Sequence, residues 1–171
     1  MKFLSPPPWY SKGGGDQKNK YNLPVQSRAN KDNMPNDIKI TVTDRAGRQC
    51  ASSGSKWEPK MGYSRAVRSG SFIAVTGTVG INADGTYARS MGEQARRSLA
   101  IIQAAIEALG GKLDHVIRTR MYVTDVSKWE EVAAAHGEMF GEIRPATTIV
   151  EVAKLIDADA VIEIEADAVI P

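Results

Sequence analysis

The stretch RPATTIVEVAKLIDADAVIEIEADAVI, from Arg144 to Ile170, contains two segments rich in β-branched residues, which predict two strands. Carboxylates interrupt the apolar pattern at Glu151, Glu163 and Glu165. Glu163 and Glu165 are two positions apart, so their side chains share one face of a strand. On spacing alone, such a pair is more often solvated or ion-paired than catalytic.

Local signals upstream of this stretch predict the rest of a domain. Two strands flank a turn at 69–71, and a helix with a Ser-x-x-Glu capping box begins at Ser90 and ends before Gly110. A strand follows over His115–Asp125, and a second capping box at Ser127 predicts a second helix. From Ser64 onward the predicted order is therefore β-β-α-β-α-β-β.

Apolar residues at helical spacing give each helix one apolar stripe. In the first helix the stripe is Ala95, Leu99, Ile102, Ile106 and Leu109; in the second it is Trp129, Val132, Ala133, His136 and Phe140. Along the strand between them, one face is expected to hold Ile117, Thr119, Met121 and Val123. Two such helices cover only one face of a sheet. An α+β fold is therefore predicted, with a mixed sheet whose second, partly apolar face is buried in an oligomer.

The first part of the chain differs in composition from this domain. Residues 1–50 carry nine Lys or Arg and four Asp or Glu, a balance of +5, whereas the balance over 51–171 is −3. A Pro run, a Gly run and few periodic apolar residues predict a largely disordered basic leader over 1–54, with one possible short strand at Ile38–Thr43. The folded domain is expected over 55–171. Its mild acidity argues against nucleic-acid binding.

Cys50 is the only cysteine, so no disulfide can form within the chain. No apolar run is long enough to cross a bilayer, and the first residues, MKFLSPPPWYSKGGG, lack the apolar stretch of a secretory signal. These features predict a cytoplasmic protein that does not bind membranes. Neither His115 nor His136 has companions at metal-ligand spacing, so no metal site is predicted.

Three segments resemble the RidA/YjgF family of imine and enamine deaminases. They are GYSRAVRSGSFIAVTGTVG, ARRSLAIIQAAIEALGGKLDHVIRTRMYVTD and RPATTIVEVAKLIDADAVIEIEA, and the resemblance covers about Lys56 to Val169. It implies a chorismate-mutase-like fold and a homotrimer, in which the sheets line a central barrel and clefts form between subunits. It also implies hydrolysis of a small imine or enamine substrate to a 2-keto acid and ammonia, with no metal or organic cofactor.

The resemblance assigns positions in the cleft. Glu163 takes the place of the glutamate that positions water, and Tyr63 that of a cleft tyrosine. Other positions implied to contact the ligand are Thr76, Gly77, Thr147 and Ile149. Thr147 stands where the family has an arginine that grips the substrate carboxylate, Ile149 where a cysteine is frequent, and Ala133 where an asparagine is usual.

Because this arginine is missing, another residue would have to supply the positive charge that binds a substrate carboxylate. Arg144 is three positions from Thr147, and side chains alternate along a strand, so Arg144 is expected on the opposite face. Arg65, next to Ser64 and near Tyr63, is the better candidate for a substitute. A threonine hydroxyl cannot replace a bidentate guanidinium, and it suits a neutral or smaller ligand better.

Two functions remain open on these grounds, and a third is weaker. The first is hydrolysis of imines in the clefts between subunits, with Glu163 as the catalytic residue. The second is a trimer of the same fold that binds a metabolite or a protein partner without catalysis. The third is RNA cleavage, against which the acidic folded region and the lack of a His/Lys pair argue.

Overall fold

The computed structural model describes residues 37–171. The strands are β1 (Thr41–Arg45), β2 (Arg48–Ser52), β3 (Ala66–Ser69), β4 (Phe72–Val79), β5 (Val116–Val123), β6 (Ala146–Glu151) and β7 (Ile162–Val169). The helices are α1 (Trp57–Met61), α2 (Met91–Ala108) and α3 (Trp129–Phe140). Short 3-10 turns precede β5 and α3, at Leu113–His115 and Val126–Lys128.

The strands form one seven-stranded sheet in the order β1-β2-β3-β4-β7-β5-β6. All neighbouring pairs are antiparallel except β5 and β6, which are parallel and are connected through α3. From β3 onward the elements follow the predicted order, and the predicted α+β fold with a mixed sheet is confirmed.

Both long helices lie on one face of the sheet. The α2 stripe predicted from the sequence is buried throughout, and Ser90 forms the predicted capping box with Glu93. Gly110 follows the helix with a φ of 80°, which is the left-handed conformation that a glycine adopts most easily. Apolar side chains of β4, β5 and β7 complete the core against the helices, among them Ile73, Met121 and Ile164.

The structure differs from the predicted leader over residues 41–52. There the chain forms the β1–β2 hairpin, and β2 pairs with β3, so the hairpin extends the sheet. Cys50 and Ala51 are buried where β2 joins the core. The expected strand at Ile38–Thr43 overlaps β1 but has a partner strand rather than standing alone. The rest of the expected leader, up to residue 36, lies outside the described residues.

Three local predictions are wrong, the first two because of a neighbouring contact. A β-bulge in the pairing of β5 with β7 turns Ile117 outward, and its exposed fraction is 52%. Ser127 does not cap α3, because Asp125 accepts a hydrogen bond from the Ser127 amide and caps the 3-10 turn instead. The buried side of α3 is Val132, Ala135 and Phe140, whereas Trp129 and Ala133 are exposed.

Candidate functional site

Glu163 lies on the face of the sheet that the helices leave uncovered. Alternate residues of β7, including Ile162 and Ile164, are buried against the helices, so Glu163 points to the other side. Its carboxylate rests against the backbone of Gly77 in β4: a Cβ atom there would lie 2.0 Å from Glu163 Oε1. Any larger residue at position 77 would therefore displace this carboxylate.

The surroundings of Glu163 favour its protonated form. The side chain is half-buried, and burial is the main cause that raises the pKa of its carboxyl group; the negative charge of Glu165 adds to this effect. The Arg65 guanidinium acts in the opposite direction. None of the ion pairs within residues 37–171 includes Glu163. A carboxylate with a raised pKa is suited to accept and return a proton near neutral pH.

Arg65 is buried beside this carboxylate, with an exposed fraction of 7%. Its Nη1 donates to the Gly77 carbonyl oxygen at 2.9 Å and to Thr78 Oγ1 at 2.8 Å. Its Nη2 donates to the Tyr63 hydroxyl at 3.3 Å, and the guanidinium lies 5.6 Å from the centre of the Tyr63 ring. Arg65 thereby fixes the backbone on which Glu163 rests and the tyrosine predicted to line the cleft.

These contacts use most of the donors of Arg65. A guanidinium has five N–H groups, and a fourth hydrogen bond runs from Nε to Ser53 Oγ at 3.2 Å. One N–H on Nη2 is left without a partner among residues 37–171. A bidentate grip on a carboxylate needs two parallel donors, so Arg65 in this position cannot replace the family's arginine as a carboxylate clamp.

A buried carboxylate that the sequence interpretation missed supports Arg65 through an intervening serine. Glu58, in α1, has an exposed fraction of 6% and accepts hydrogen bonds from the Ser52 hydroxyl and from the Ser53 amide and hydroxyl, the last two at 3.0 and 2.9 Å. Ser53 thus bridges Glu58 and Arg65. The only signal was the hydroxyl-rich SSGS ahead of this acid, in a segment assigned largely to the leader.

Thr76 aligns the segment that carries Tyr63 and Arg65. Its hydroxyl donates to the Ser64 carbonyl oxygen at 2.9 Å, and its amide donates to the Arg65 carbonyl oxygen at 3.0 Å. Tyr63, Arg65, Thr76 and Gly77 are therefore linked in one group, of which Gly77 and Arg65 lie next to Glu163.

The other predicted positions line a separate cleft between α3 and the edge of the sheet formed by β5 and β6. It has a volume of about 250 Å³, and its walls include Met121, Trp129, Val132, Ala133, His136 and Ile149, with Thr147 at the β6 side. Thr147, Ile149 and Ala133 are thus brought together in one cleft.

A chain of side-chain hydrogen bonds forms the polar part of this cleft. Thr119 Oγ1 lies 3.0 Å from His136 Nε2 and 3.0 Å from Thr147 Oγ1. The Thr147 hydroxyl also donates to the Pro145 carbonyl oxygen at 3.1 Å. The imidazole is half-buried and is held by a neutral partner. Its burial lowers the pKa of His136.

The two groups lie on opposite faces of the sheet. Thr119 is fully buried on the helix side and holds Thr147, whereas Glu163 faces away from the helices. Arg144 joins neither group, since its Nε donates to the Gly141 carbonyl oxygen at the end of α3. One chain therefore cannot place a single small ligand against both Thr147 and Glu163.

The pKa of His136 predicts a pH dependence of stability. The unfolded imidazole, with a pKa of about 6.5, binds a proton more readily than the folded one. The free energy of unfolding should therefore fall as the pH drops from above about 6.5 through the lower pKa of the folded state. Urea unfolding across this range should show the loss in the wild type and a smaller loss in His136→Gln. An equal loss in both proteins would show that His136 is not its source.

The remaining acids of the quoted stretch have structural partners. Glu165 accepts from Arg120 and from the Tyr122 hydroxyl, both at 3.3 Å. Glu151 accepts a hydrogen bond from the Val126 amide at 2.8 Å. Within residues 37–171, no group of His, Cys, Asp and Glu could hold a metal ion, and no helix has the length and apolarity to cross a membrane.

The fold, with its acid-bearing last strand, defines a class of small α+β domains. Comparison with known proteins shows which family within this class the chain belongs to. A family model described as Endoribonuclease L-PSP matches residues 54–170. The 2-iminobutanoate/2-iminopropanoate deaminase of Salmonella typhimurium is 35% identical over 111 residues, which is 63% of this chain and 86% of that protein.

Solved structures agree with this result. Rv2704 of Mycobacterium tuberculosis, a member of the YjgF/YER057c/UK114 family, is 44% identical with a TM-score of 0.67, and the match covers 72% of this chain and 99% of that one. The YjgF gene product of Escherichia coli is 35% identical with a TM-score of 0.59, covering 63% and 87%. The chain belongs to the RidA/YjgF family.

Proposed function

We propose that this protein hydrolyses small imines to a carbonyl compound and ammonia, in clefts between the copies of a cytoplasmic homotrimer. The observation that carries the proposal is the Glu163 carboxylate, half-buried over Gly77 and next to the Arg65–Tyr63 pair. The name of the Salmonella typhimurium relative, an iminobutanoate and iminopropanoate deaminase, supports the reaction class.

The proposed reaction needs one acid–base group and one water molecule. Glu163 accepts a proton from the water, whose oxygen adds to the imine carbon and forms a carbinolamine. Glu163 returns this proton to the nitrogen, which completes the carbinolamine. It then moves the proton of the new hydroxyl group to the same nitrogen, the C–N bond breaks, and ammonia leaves as the carbonyl group forms. Atoms and charge balance without a redox partner. The raised pKa of Glu163 supports both halves of this transfer.

Assembly would join the two groups of candidate residues. Since Thr147 and Glu163 lie on opposite faces of the sheet, a cleft that contains both needs a second copy of the chain. The uncovered face also carries apolar surface, such as Phe72 and Val150, with exposed fractions of 43% and 42%. Sedimentation of the purified protein should give three times the chain mass, and a monomer at all concentrations would contradict this proposal.

Imine turnover tests the function directly. Imines are generated in the assay by oxidation of an amino acid or of a simple primary amine. The release of carbonyl compound and ammonia is then compared with spontaneous hydrolysis. The protein should accelerate release from at least one imine. No acceleration of either at high protein concentration would overturn the proposal.

Gly77→Ala should separate the position of Glu163 from the stability of the fold. The added Cβ would meet the end of a flexible side chain, which can move away. Turnover should therefore fall at least about tenfold while the free energy of unfolding changes by less than about 1 kcal/mol. Ammonia release and urea unfolding measure the two effects. Unchanged turnover would mean that the carboxylate does not act from its place over Gly77.

A second candidate function is metabolite binding without catalysis. It is favoured by the cleft beside α3, where Thr147 and Ala133 replace the polar residues that the family resemblance implies. This candidate predicts thermal stabilisation by a ligand without turnover of any imine.

A further inference from the structure

We propose that the cleft between α3 and the β5–β6 edge takes an uncharged carbonyl or imine compound rather than one that bears a carboxylate, and that the Thr147 hydroxyl receives its polar end. This inference rests on the proposed function for the identity of the cleft as the ligand site. It concerns the class of ligand, and binding can test it without any turnover.

The lining of the cleft disfavours an ion. Apolar side chains form most of the wall, including Met121, Val132 and Ile149, and none of the described lining residues is Asp, Glu, Lys or Arg. An ionised carboxylate placed there would lose part of its hydration without gaining an opposite charge, which is strongly unfavourable. A volume of about 250 Å³ fits a small metabolite.

Arg120, Arg144 and Arg65 make their contacts outside the cleft. Arg120, on the other face of β5, pairs with Glu165 and Asp167 at 3.3 and 3.2 Å. Arg144 donates to the Gly141 carbonyl oxygen, and Arg65 is buried on the Glu163 side with its donors largely used. None of these three arginines belongs to the lining of the cleft.

The hydrogen-bonded side chains of Thr147, Thr119 and His136 are suited to bind a neutral ligand that accepts a hydrogen bond. The Thr147 hydroxyl has one hydrogen, which it now gives to the Pro145 carbonyl oxygen only two residues away. Rotation about the Cβ–Oγ1 bond of Thr147 can redirect this hydrogen to an oxygen or nitrogen atom of a ligand. Meanwhile Thr119 keeps contact with Thr147 and His136. Burial lowers the pKa of His136, which favours the neutral form of its imidazole.

A matched pair of probes tests the proposal: 2-oxobutanamide and 2-oxobutanoate, which differ in the presence of a carboxylate. Calorimetric titration of the wild-type protein should show saturable binding of the amide, at least about tenfold tighter than that of the acid. Thr147→Val should weaken amide binding about tenfold, the effect of one neutral hydrogen bond. Thr147→Ser should restore it. Thr147→Arg should reverse the preference, because a guanidinium binds a carboxylate with two donors.

Two results would overturn the inference: acid bound by the wild type as tightly as the amide, or no saturable binding of the amide. Neither result concerns turnover. If the amide binds but no imine is hydrolysed, the proposed function fails and the inference stands. If imines are hydrolysed while the acid binds as well as the amide, the inference fails and the proposed function stands.

Discussion

Glu163→Gln should lower kcat for imine hydrolysis by about 10²–10⁴-fold, the usual contribution of a positioned general base. Glutamine keeps the shape of the side chain and its place over Gly77 but cannot accept the proton from water. Binding of a neutral ligand in the cleft should change little, so KM should stay close to its wild-type value. Initial rates of ammonia release over a range of substrate concentrations give both parameters.

Glu165→Gln is the matched control for this substitution. Glu165 lies on the same face of the same strand, but Arg120 and Tyr122 hold its carboxylate. Glu165→Gln should therefore lower kcat by less than about tenfold. If both variants lose activity equally, the acidic face as a whole and not Glu163 is responsible. A fully active Glu163→Gln would exclude the general-base role.

Arg65→Met should lower the free energy of unfolding by about 3 kcal/mol. The buried guanidinium makes four hydrogen bonds, to Ser53, the Gly77 carbonyl, Thr78 and Tyr63. Its removal leaves buried acceptors without a donor, at about 1–3 kcal/mol for each group that finds no water. Urea unfolding should show the loss as a lower midpoint. Arg65→Lys should recover only part of it, because an ammonium cannot span the same four acceptors.

Arg96→Met provides a control for loss of an arginine in general. Arg96 pairs with Glu138 at 2.6 Å, but both side chains are more than 40% exposed, and exposed pairs contribute about 0–1 kcal/mol. A loss as large as that of Arg65→Met would contradict the special role of the buried site. A second readout is the pKa of Glu163, which should rise in Arg65→Met because Arg65 lowers it in the wild type.

Short sequence patterns predicted the parts of the fold that depend on contacts between residues close together along the chain. The capping box at Ser90, the glycine after α2 and the alternation in β7 each involve residues within a few positions of one another. They are visible in the sequence because the interacting groups are close along the chain. The position of Glu163 on the uncovered face follows from the same alternation.

What the sequence did not reveal depends on distant partners. Ser53 and Arg65 are twelve residues apart, and their hydrogen bond exists only because the β1–β2 hairpin joins the sheet. The hairpin itself was missed because its strands are polar and β1 is exposed along its whole length. Similarly, the outward turn of Ile117 comes from its pairing with β7, which no pattern within β5 indicates.

The division of the candidate residues between the two faces of the sheet has an evolutionary consequence. Substitutions at Thr147, Ile149 or Ala133 alter the cleft beside α3 without touching the packing of Glu163 over Gly77. Ligand preference can therefore diverge within such a scaffold while the acid and its supports are retained. A change from anionic to neutral ligands would then require only a few replacements along one strand and one helix.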